Sequence, residues 1–200
     1  MTRALYLLAP AILAAAVRAG PVVSLTPIDG AVSGSPGSTV GWGFTISSTA
    51  DFLAVAATDF CVSATKPSDL PCASQVQYLG SYTDFSSADF FVVGPSPYST
   101  TVTQNFDPTG PFGPTGFGSF AINGNAVVGA VLNGEIAVIY DLFAGDPAAG
   151  GEQIGGDNFI SVPASVTVIG PIGIPEPRTL LSFGFGLAGL ILLRRRIWKS

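Results

Sequence analysis

Apolar residues recur at every second position, or run without interruption, through most of residues 21–170. A period of two is typical of a β-strand with one buried face. Segment 40–47, with the sequence VGWGFTIS, shows the alternation most clearly. Because Gly41 and Gly43 lie inside this predicted strand, we expect a second backbone or an aromatic ring to approach it closely.

Two Asn-Gly pairs, at 123–124 and 133–134, separate three apolar runs. Asn-Gly favours the type I′ hairpin turn because both turn residues need a positive φ. The pattern therefore predicts a three-stranded antiparallel meander over residues 116–144. Its third strand is apolar on both faces, which predicts a central strand covered on both sides.

Further strands are predicted where short apolar runs lie between Gly, Pro, Asp and Asn residues. They cover residues 22–25, 52–60, 76–82, 90–93, 100–105 and 164–169. About nine or ten short antiparallel strands predict an all-β, immunoglobulin-like β-sandwich, with a barrel as the alternative.

Two long loops rich in Gly and Pro, 105–118 and 145–158, interrupt the strand pattern. The first loop carries three aromatic residues, Phe106, Phe112 and Phe117. They either pack the loop onto a small core of its own or offer a surface for sugar rings.

Charge is scarce and unevenly placed. Only 10% of the residues are charged and 48% are hydrophobic. All 13 acidic residues lie between Asp29 and Glu176, where Lys66 is the single base. An acidic body repels phosphate backbones, so we expect no nucleic-acid partner. The chain has no His, so a His-based triad or a His-ligated metal is not possible, and we expect no cofactor.

Residues 1–19 are predicted to be a secretory signal peptide. Arg3 provides a positive start, an apolar run extends from 4 to 17, and small residues precede a plausible cleavage site before Gly20. An uncleaved amphipathic helix is the alternative. The β-sandwich domain is then assigned to residues 20–171.

Cys61 and Cys72 are the two cysteines of the chain. In the oxidising compartment that a signal peptide implies, a pair at this spacing predicts a local disulfide. Closing a loop of this size contributes about 3 kcal/mol in the chain-entropy description. Two free thiols are the alternative.

The C-terminal segment 172–200 combines three features. A Pro-Glu-Pro triplet favours an extended, exposed backbone. An apolar run at 180–193 is compatible with a helix of roughly 21 Å, shorter than the ~30 Å hydrocarbon core of a bilayer. Three arginines then favour a cytoplasmic end by the positive-inside rule: Arg194, Arg195 and Arg196.

This order of features resembles the PEP-CTERM sorting signal of Gram-negative bacteria. The resemblance implies recognition by an exosortase, an integral-membrane, transpeptidase-like enzyme that cleaves near Pro175, Glu176 and Pro177. It also implies transient single-pass retention in the inner membrane through 180–193. The chain would then reach the outer surface or the extracellular matrix of a biofilm-forming species. Arg178 departs from the pattern, because such tails often carry a small polar residue there. An ordinary single-pass anchor is the alternative.

We therefore expect an exported, non-enzymatic protein of the cell envelope or extracellular matrix. Its expected partners are the export machinery, an exosortase, the membrane and extracellular polysaccharide. A carbohydrate-binding or adhesion module is the alternative, and it requires several exposed aromatic residues among Trp42, Tyr78, Tyr82 and Phe112.

An enzyme is a third hypothesis. A glycosidase would need two carboxylates facing each other across a cleft. Asp141 and Asp146 are the least implausible pair, although Asp146-Pro147 is more simply a turn. We assign no catalytic, cofactor-binding or metal-binding residue.

Overall fold

The computed structural model describes residues 20–62, 72, 78–86 and 91–170, and within them the chain is almost entirely β-structure. The predicted signal helix and the predicted hydrophobic helix of the tail lie outside these residues. Across the described ranges, no helix has the length and apolar character that crossing a membrane would require.

Two five-stranded sheets contain all the strands of the described residues. In chain order these strands are β1 (Val22–Thr26), β2 (Ala31–Gly34), β3 (Thr39–Ser47), β4 (Phe52–Cys61), β5 (Gly80–Asp84), β6 (Val92–Val93), β7 (Thr101–Gln104), β8 (Gly118–Ile122), β9 (Val131–Phe143) and β10 (Gln153–Val168). The first sheet has the order β1-β3-β8-β5, with β7 also paired to β3, and the second has the order β2-β10-β9-β4-β6. The predicted all-β sandwich of nine or ten strands is confirmed.

One hydrophobic core joins the inner faces of the two sheets. Trp42 of β3 stacks on Phe60 of β4, with ring centroids 5.4 Å apart. Phe44 of β3 stacks on Phe117 at 4.2 Å. These large rings lie where inward-pointing positions of facing strands meet, as the period of two requires.

The two glycines of β3 are approached closely on the face opposite the core, as expected. The Phe106 ring lies directly over Gly41, and a Cβ there would collide with it. A Cβ on Gly43 would lie 2.6 Å from the carbonyl oxygen of Gln104 on β7. Both faces of β3 are therefore covered.

The predicted three-stranded meander is wrong. Asn123-Gly124 does form a turn, with the Ala126 N–H donating to the Asn123 carbonyl at 3.0 Å. That turn leads from β8 in one sheet to β9 in the other. Asn133-Gly134 lies inside β9, paired with Ser165 and Ala164 of β10.

The position of β9 agrees with its apolar pattern, because this strand lies between β4 and β10. Its inner face joins the main core through Ile136, Val138 and Tyr140. On the outer face, Ala137 is fully buried beneath Cys61 and Cys72, with Phe159 packed alongside. The predicted central strand is confirmed.

Strand β10 is much longer than the predicted strand at 164–169, and the predicted loop at 145–158 is mostly structured. That loop contains a short 3₁₀ helix, Pro147–Ala149, and the first residues of β10. Shifts in the β9 register between Gln153 and Asn158 accommodate the glycines there. Strand β10 also pairs in parallel with β2, which the expectation of purely antiparallel strands missed.

Pro163 is tolerated inside β10 because of where β2 begins. The Ser165 N–H donates to the Gly30 carbonyl on the β2 side at 3.0 Å. Backbone N–H groups two residues apart point the same way, so the Pro163 nitrogen also faces that side. Regular pairing with β2 starts at Ala31, opposite Ser165. The missing donor of Pro163 therefore interrupts no ladder.

Candidate functional site

The predicted sorting tail leaves the domain at one end of the sandwich, which we name the tail-proximal end. It comprises segments 34–38, 78–80, 122–131 and 168–170, joined by backbone hydrogen bonds. The Ile169 N–H donates to the Gly34 carbonyl at 2.9 Å, and the Gly129 N–H donates to the Val168 carbonyl at 2.8 Å. The sorting residues from 172 onward lie outside the described residues.

The start of the domain lies at the opposite end. Val22 pairs with Ser47, the last residue of β3, whereas Thr39 begins β3 beside the tail-proximal end. Strand β3 has nine residues, and at about 3.3 Å per residue this places the ends roughly 26 Å apart. The predicted signal peptide and the predicted sorting tail therefore join the domain at opposite ends.

A groove of about 500 Å³ lies between the β1–β2 turn, β2, the start of β3 and the loop that follows β7. Thr26, Ser33, Thr39 and Asn105 contribute polar groups, and Phe106 contributes an aromatic surface. None of the described residues that line the groove is charged. This lining suits a neutral ligand with both hydroxyl groups and apolar faces.

A buried polar cluster links the two sheets through Thr58 on β4. Its hydroxyl donates to Asp84 Oδ1 at 2.6 Å and lies 2.9 Å from the Tyr82 hydroxyl. Ser86 donates to the same Asp84 oxygen from its hydroxyl and its backbone N–H. Burial, together with the charges of Asp84 and Asp59, raises the pKa of Tyr82, so this phenol stays neutral. These contacts satisfy buried polar groups and lie outside the groove.

Asp59 is buried on the outer face of β4, beside the disulfide. The predicted bond between Cys61 and Cys72 is present. The Asp59 carboxylate accepts the backbone N–H of Phe60 at 2.8 Å and that of Cys72. Burial raises its pKa, and these two hydrogen bonds oppose that shift.

Asp59 also lies close enough to both sulfurs for three potential metal ligands to meet. Because the sulfurs are bonded to each other, they are not thiolates, and metal coordination needs the thiolate. The arrangement therefore serves to hold the end of the disulfide loop against β4. The sequence signal for it, which we did not use, is an aspartate inside the apolar strand run that ends at Cys61.

The four aromatic residues proposed for sugar binding do not form a common surface. Trp42 is fully buried and Tyr82 is half-buried, whereas Phe112 is 99% exposed and Tyr78 is 69% exposed. Of the loop aromatics, Phe117 belongs to the main core, and Phe106 stacks on Phe85 with centroids 6.4 Å apart.

Asp141 and Asp146 each have a local hydrogen-bonding role. Asp141 accepts the Asp157 N–H at 3.0 Å. Asp146 accepts the Ala148 N–H at 2.8 Å and caps the 3₁₀ helix, with Tyr98 donating to it at 3.1 Å. The interpretation of Asp146-Pro147 as a turn is confirmed.

The described residues thus belong to a disulfide-containing β-sandwich domain with an extension at one end. Comparison with protein families identifies that extension, because the model of the PEP-CTERM protein-sorting motif matches residues 173–196. The match spans the triplet, the apolar run and the three arginines, so the chain carries this motif at its C-terminal end. No curated protein matches the chain. The motif supports an exported protein that an exosortase sorts and processes at the cell surface.

Proposed function

We propose that the chain is a non-enzymatic protein of the outer surface or extracellular matrix. In this proposal the signal peptide directs export, and the sorting tail holds the chain briefly in the inner membrane. Exosortase then cuts near Pro175, Glu176 and Pro177 and delivers the sandwich. The observation that carries the proposal is the sorting motif that directly follows a β-sandwich domain.

Two further observations support a role without catalysis. The carboxylates considered for catalysis, Asp141 and Asp146, are hydrogen-bonded to nearby backbone N–H groups. The groove beside β2 offers hydroxyl, amide and apolar groups but none of the acids or bases that general acid–base chemistry requires. A disulfide-closed domain also suits an oxidising, extracellular environment.

The test is the intact mass of the native protein, measured separately from the membranes and from the medium of its host. We expect a surface or medium form that begins near Gly20 and ends near Pro177. Deleting exosortase should convert it into a membrane form that keeps residues 180–200. A tail-bearing chain found in membranes of cells with active exosortase would contradict the processing step.

A second candidate function is binding of a neutral extracellular polysaccharide in the groove. It is favoured by the uncharged, mixed polar and apolar lining, which resembles the chemistry of a sugar. We expect the double variant Thr39→Ala and Asn105→Ala to weaken co-sedimentation with the neutral polysaccharide of the host matrix. Thr83→Ala, at an exposed position of β5, is the matched control. Equal retention of all three proteins would argue against the groove.

A further inference from the structure

An exposed apolar patch lies at the tail-proximal end of the sandwich. Its members are aliphatic residues whose side chains are 40–74% exposed: Val127, Val128, Val131 and Ile169. Val131 pairs with Thr167 on β10, and both Val131 and Ile169 alternate with inward-facing neighbours, so they share the outer face of the second sheet. A methyl-sized group on Gly170 would lie 3.6 Å from Val128. The four side chains are therefore neighbours.

These residues do not serve the core. Between β8 and β9, Ala126 and Ala130 pack against the core, while Val127 and Val128 between them face outward. Turn segments are ordinarily built from Gly, Asn, Asp, Ser and Pro. Exposed valines at such a position indicate a surface that contacts something apolar.

The same end carries no charge in any of the described segments that form it. Segments 34–38, 78–80, 122–131 and 168–170 contain neither acidic nor basic residues. Elsewhere the described residues carry acidic groups and no bases. On β9 the nearest acid is Glu135, four positions and about 13 Å from Val131. This is the one end that an anionic surface repels least.

The position of the sorting tail indicates what this surface meets. Residues 171–179 separate Gly170 from the apolar run that begins at Leu180. Nine residues span at most about 30 Å, so an inserted tail keeps the tail-proximal end beside the bilayer. The opposite end, where the domain begins at Val22, is held at the far side by β3.

We propose that the tail-proximal end rests on the phospholipid surface of the inner membrane while the sorting tail is inserted. The proposal depends on the membrane-retained intermediate of the proposed function. In this intermediate Val127, Val128, Val131 and Ile169 contact the lipid interface, and the acidic remainder of the sandwich points away. The contact fixes how the Pro-Glu-Pro triplet is presented to a membrane-embedded protease, because it limits rotation of the domain about its linker.

Site-specific fluorescence can test this orientation. The tail-bearing chain is purified from membranes of host cells that lack exosortase. It is reconstituted into vesicles of phosphatidylethanolamine with a minor share of phosphatidylglycerol. One thiol is introduced per variant, Asn125→Cys at the tail-proximal end or Ala148→Cys at the opposite end, and labelled with an environment-sensitive fluorophore. Both positions are exposed, and the native cysteines are bonded to each other.

Nitroxide-labelled lipids should quench the label at position 125 severalfold more than the label at 148. Adding Val127→Ser and Val128→Ser should remove most of that difference. Val22→Ser and Ile28→Ser, which change residues that are 63% and 92% exposed outside the patch, should leave it intact.

The other outcomes overturn the proposal in distinguishable ways. A chain that does not float with the vesicles refutes membrane retention and, with it, this contact. A chain that floats but shows equal quenching at both positions refutes the contact alone. Quenching at 125 that depends on protein density instead of nitroxide lipid would show that a second copy covers the patch.

Discussion

Trp42 is the residue that connects the most parts of the molecule. Its indole N–H donates to the Gly30 carbonyl at 2.7 Å, and the same carbonyl accepts the Ser165 N–H of β10. Its ring stacks on Phe60 of the opposite sheet. The indole therefore joins β3, the β1–β2 turn and the second sheet at a fully buried position.

We expect Trp42→Phe to lower the free energy of unfolding by about 1–3 kcal/mol, because it removes a buried hydrogen bond and leaves a small cavity. Ser165 still satisfies the Gly30 carbonyl, which limits the loss. Urea unfolding of the disulfide-intact protein measures the difference. Phe112→Leu, at a side chain that is 99% exposed, should change stability by no more than about 0.5 kcal/mol. Equal losses in both variants would contradict this account.

Asp59 gives the protein a defined dependence on pH. Burial raises its pKa in the folded protein above the ordinary value of 3.8. Its protonated form is therefore favoured by folding. That contribution is complete below the unfolded pKa and is lost as pH rises through the folded pKa.

We expect the stability of the wild type, measured relative to Asp59→Asn, to fall as pH rises from about 3 toward 7. Denaturant unfolding at a series of pH values measures it. Asp107→Asn, which removes one negative charge from an exposed loop, is the control for net charge. A relative stability that rises over the same interval would show that the hydrogen bonds from Cys72 and Phe60 outweigh burial.

Among the elements, β3 shows how a sequence pattern constrains its neighbours. It pairs with β1, β7 and β8. Its glycines have no side chain on the face that Phe106 and β7 cover. Alternating large apolar residues and glycines thus describe a strand with a ring-filled inner face and a closely packed outer face.

Gly43→Ala should destabilise the domain by about 1–3 kcal/mol, because the added Cβ overpacks the β3–β7 contact. In the structure that Cβ would lie 2.6 Å from the Gln104 carbonyl oxygen and 3.0 Å from the Asn105 Cα. Gly124→Ala, where no atom lies within 4 Å, should be neutral or slightly stabilising. Thermal unfolding of both variants provides the comparison, and a neutral Gly43→Ala would disprove the close approach.

The same scale shows why local signals misassigned two elements. Asn-Gly at 133–134 has the composition of a turn, yet it continues β9 because Gly134 lets the Cys61 carbonyl of β4 approach. Asn123-Gly124 does turn, but toward the other sheet. Strand β10 contains Gly155, Gly156 and Pro163, which weaken any local prediction, and it extends because β9 offers a long partner. Long-range pairing overrides local preference in each case.

At the scale of the whole molecule, charge and geometry separate the domain into unlike ends. Targeting segments are predicted at both ends, while acidic residues cover the body between them. A mature chain from 20 to 177 would carry 13 acidic residues against Lys66 alone. Such a surface selects against anionic polymers.

We expect the mature protein not to bind anionic polysaccharide at low ionic strength, because like charges repel within the Debye length. Any binding to a neutral polysaccharide should be insensitive to added salt. Co-sedimentation with both polymer classes across a salt series measures this. Binding to the anionic polymer at low salt, without divalent cations, would contradict the charge argument.

The sequence by itself determined the features that depend on covalent order and local chemistry. The period of two indicated a β-sandwich, the cysteine spacing predicted the disulfide, and the C-terminal features predicted the sorting motif. Each is carried by neighbouring residues. Tertiary structure alone decided which strands pair, that β2 and β10 run parallel, and that Trp42 is buried beneath Gly30. It also placed the groove and gathered Val127, Val128, Val131 and Ile169 at the tail-proximal end. Those outcomes depend on contacts between residues far apart in the chain, where the free energy of packing two sheets outweighs local preference.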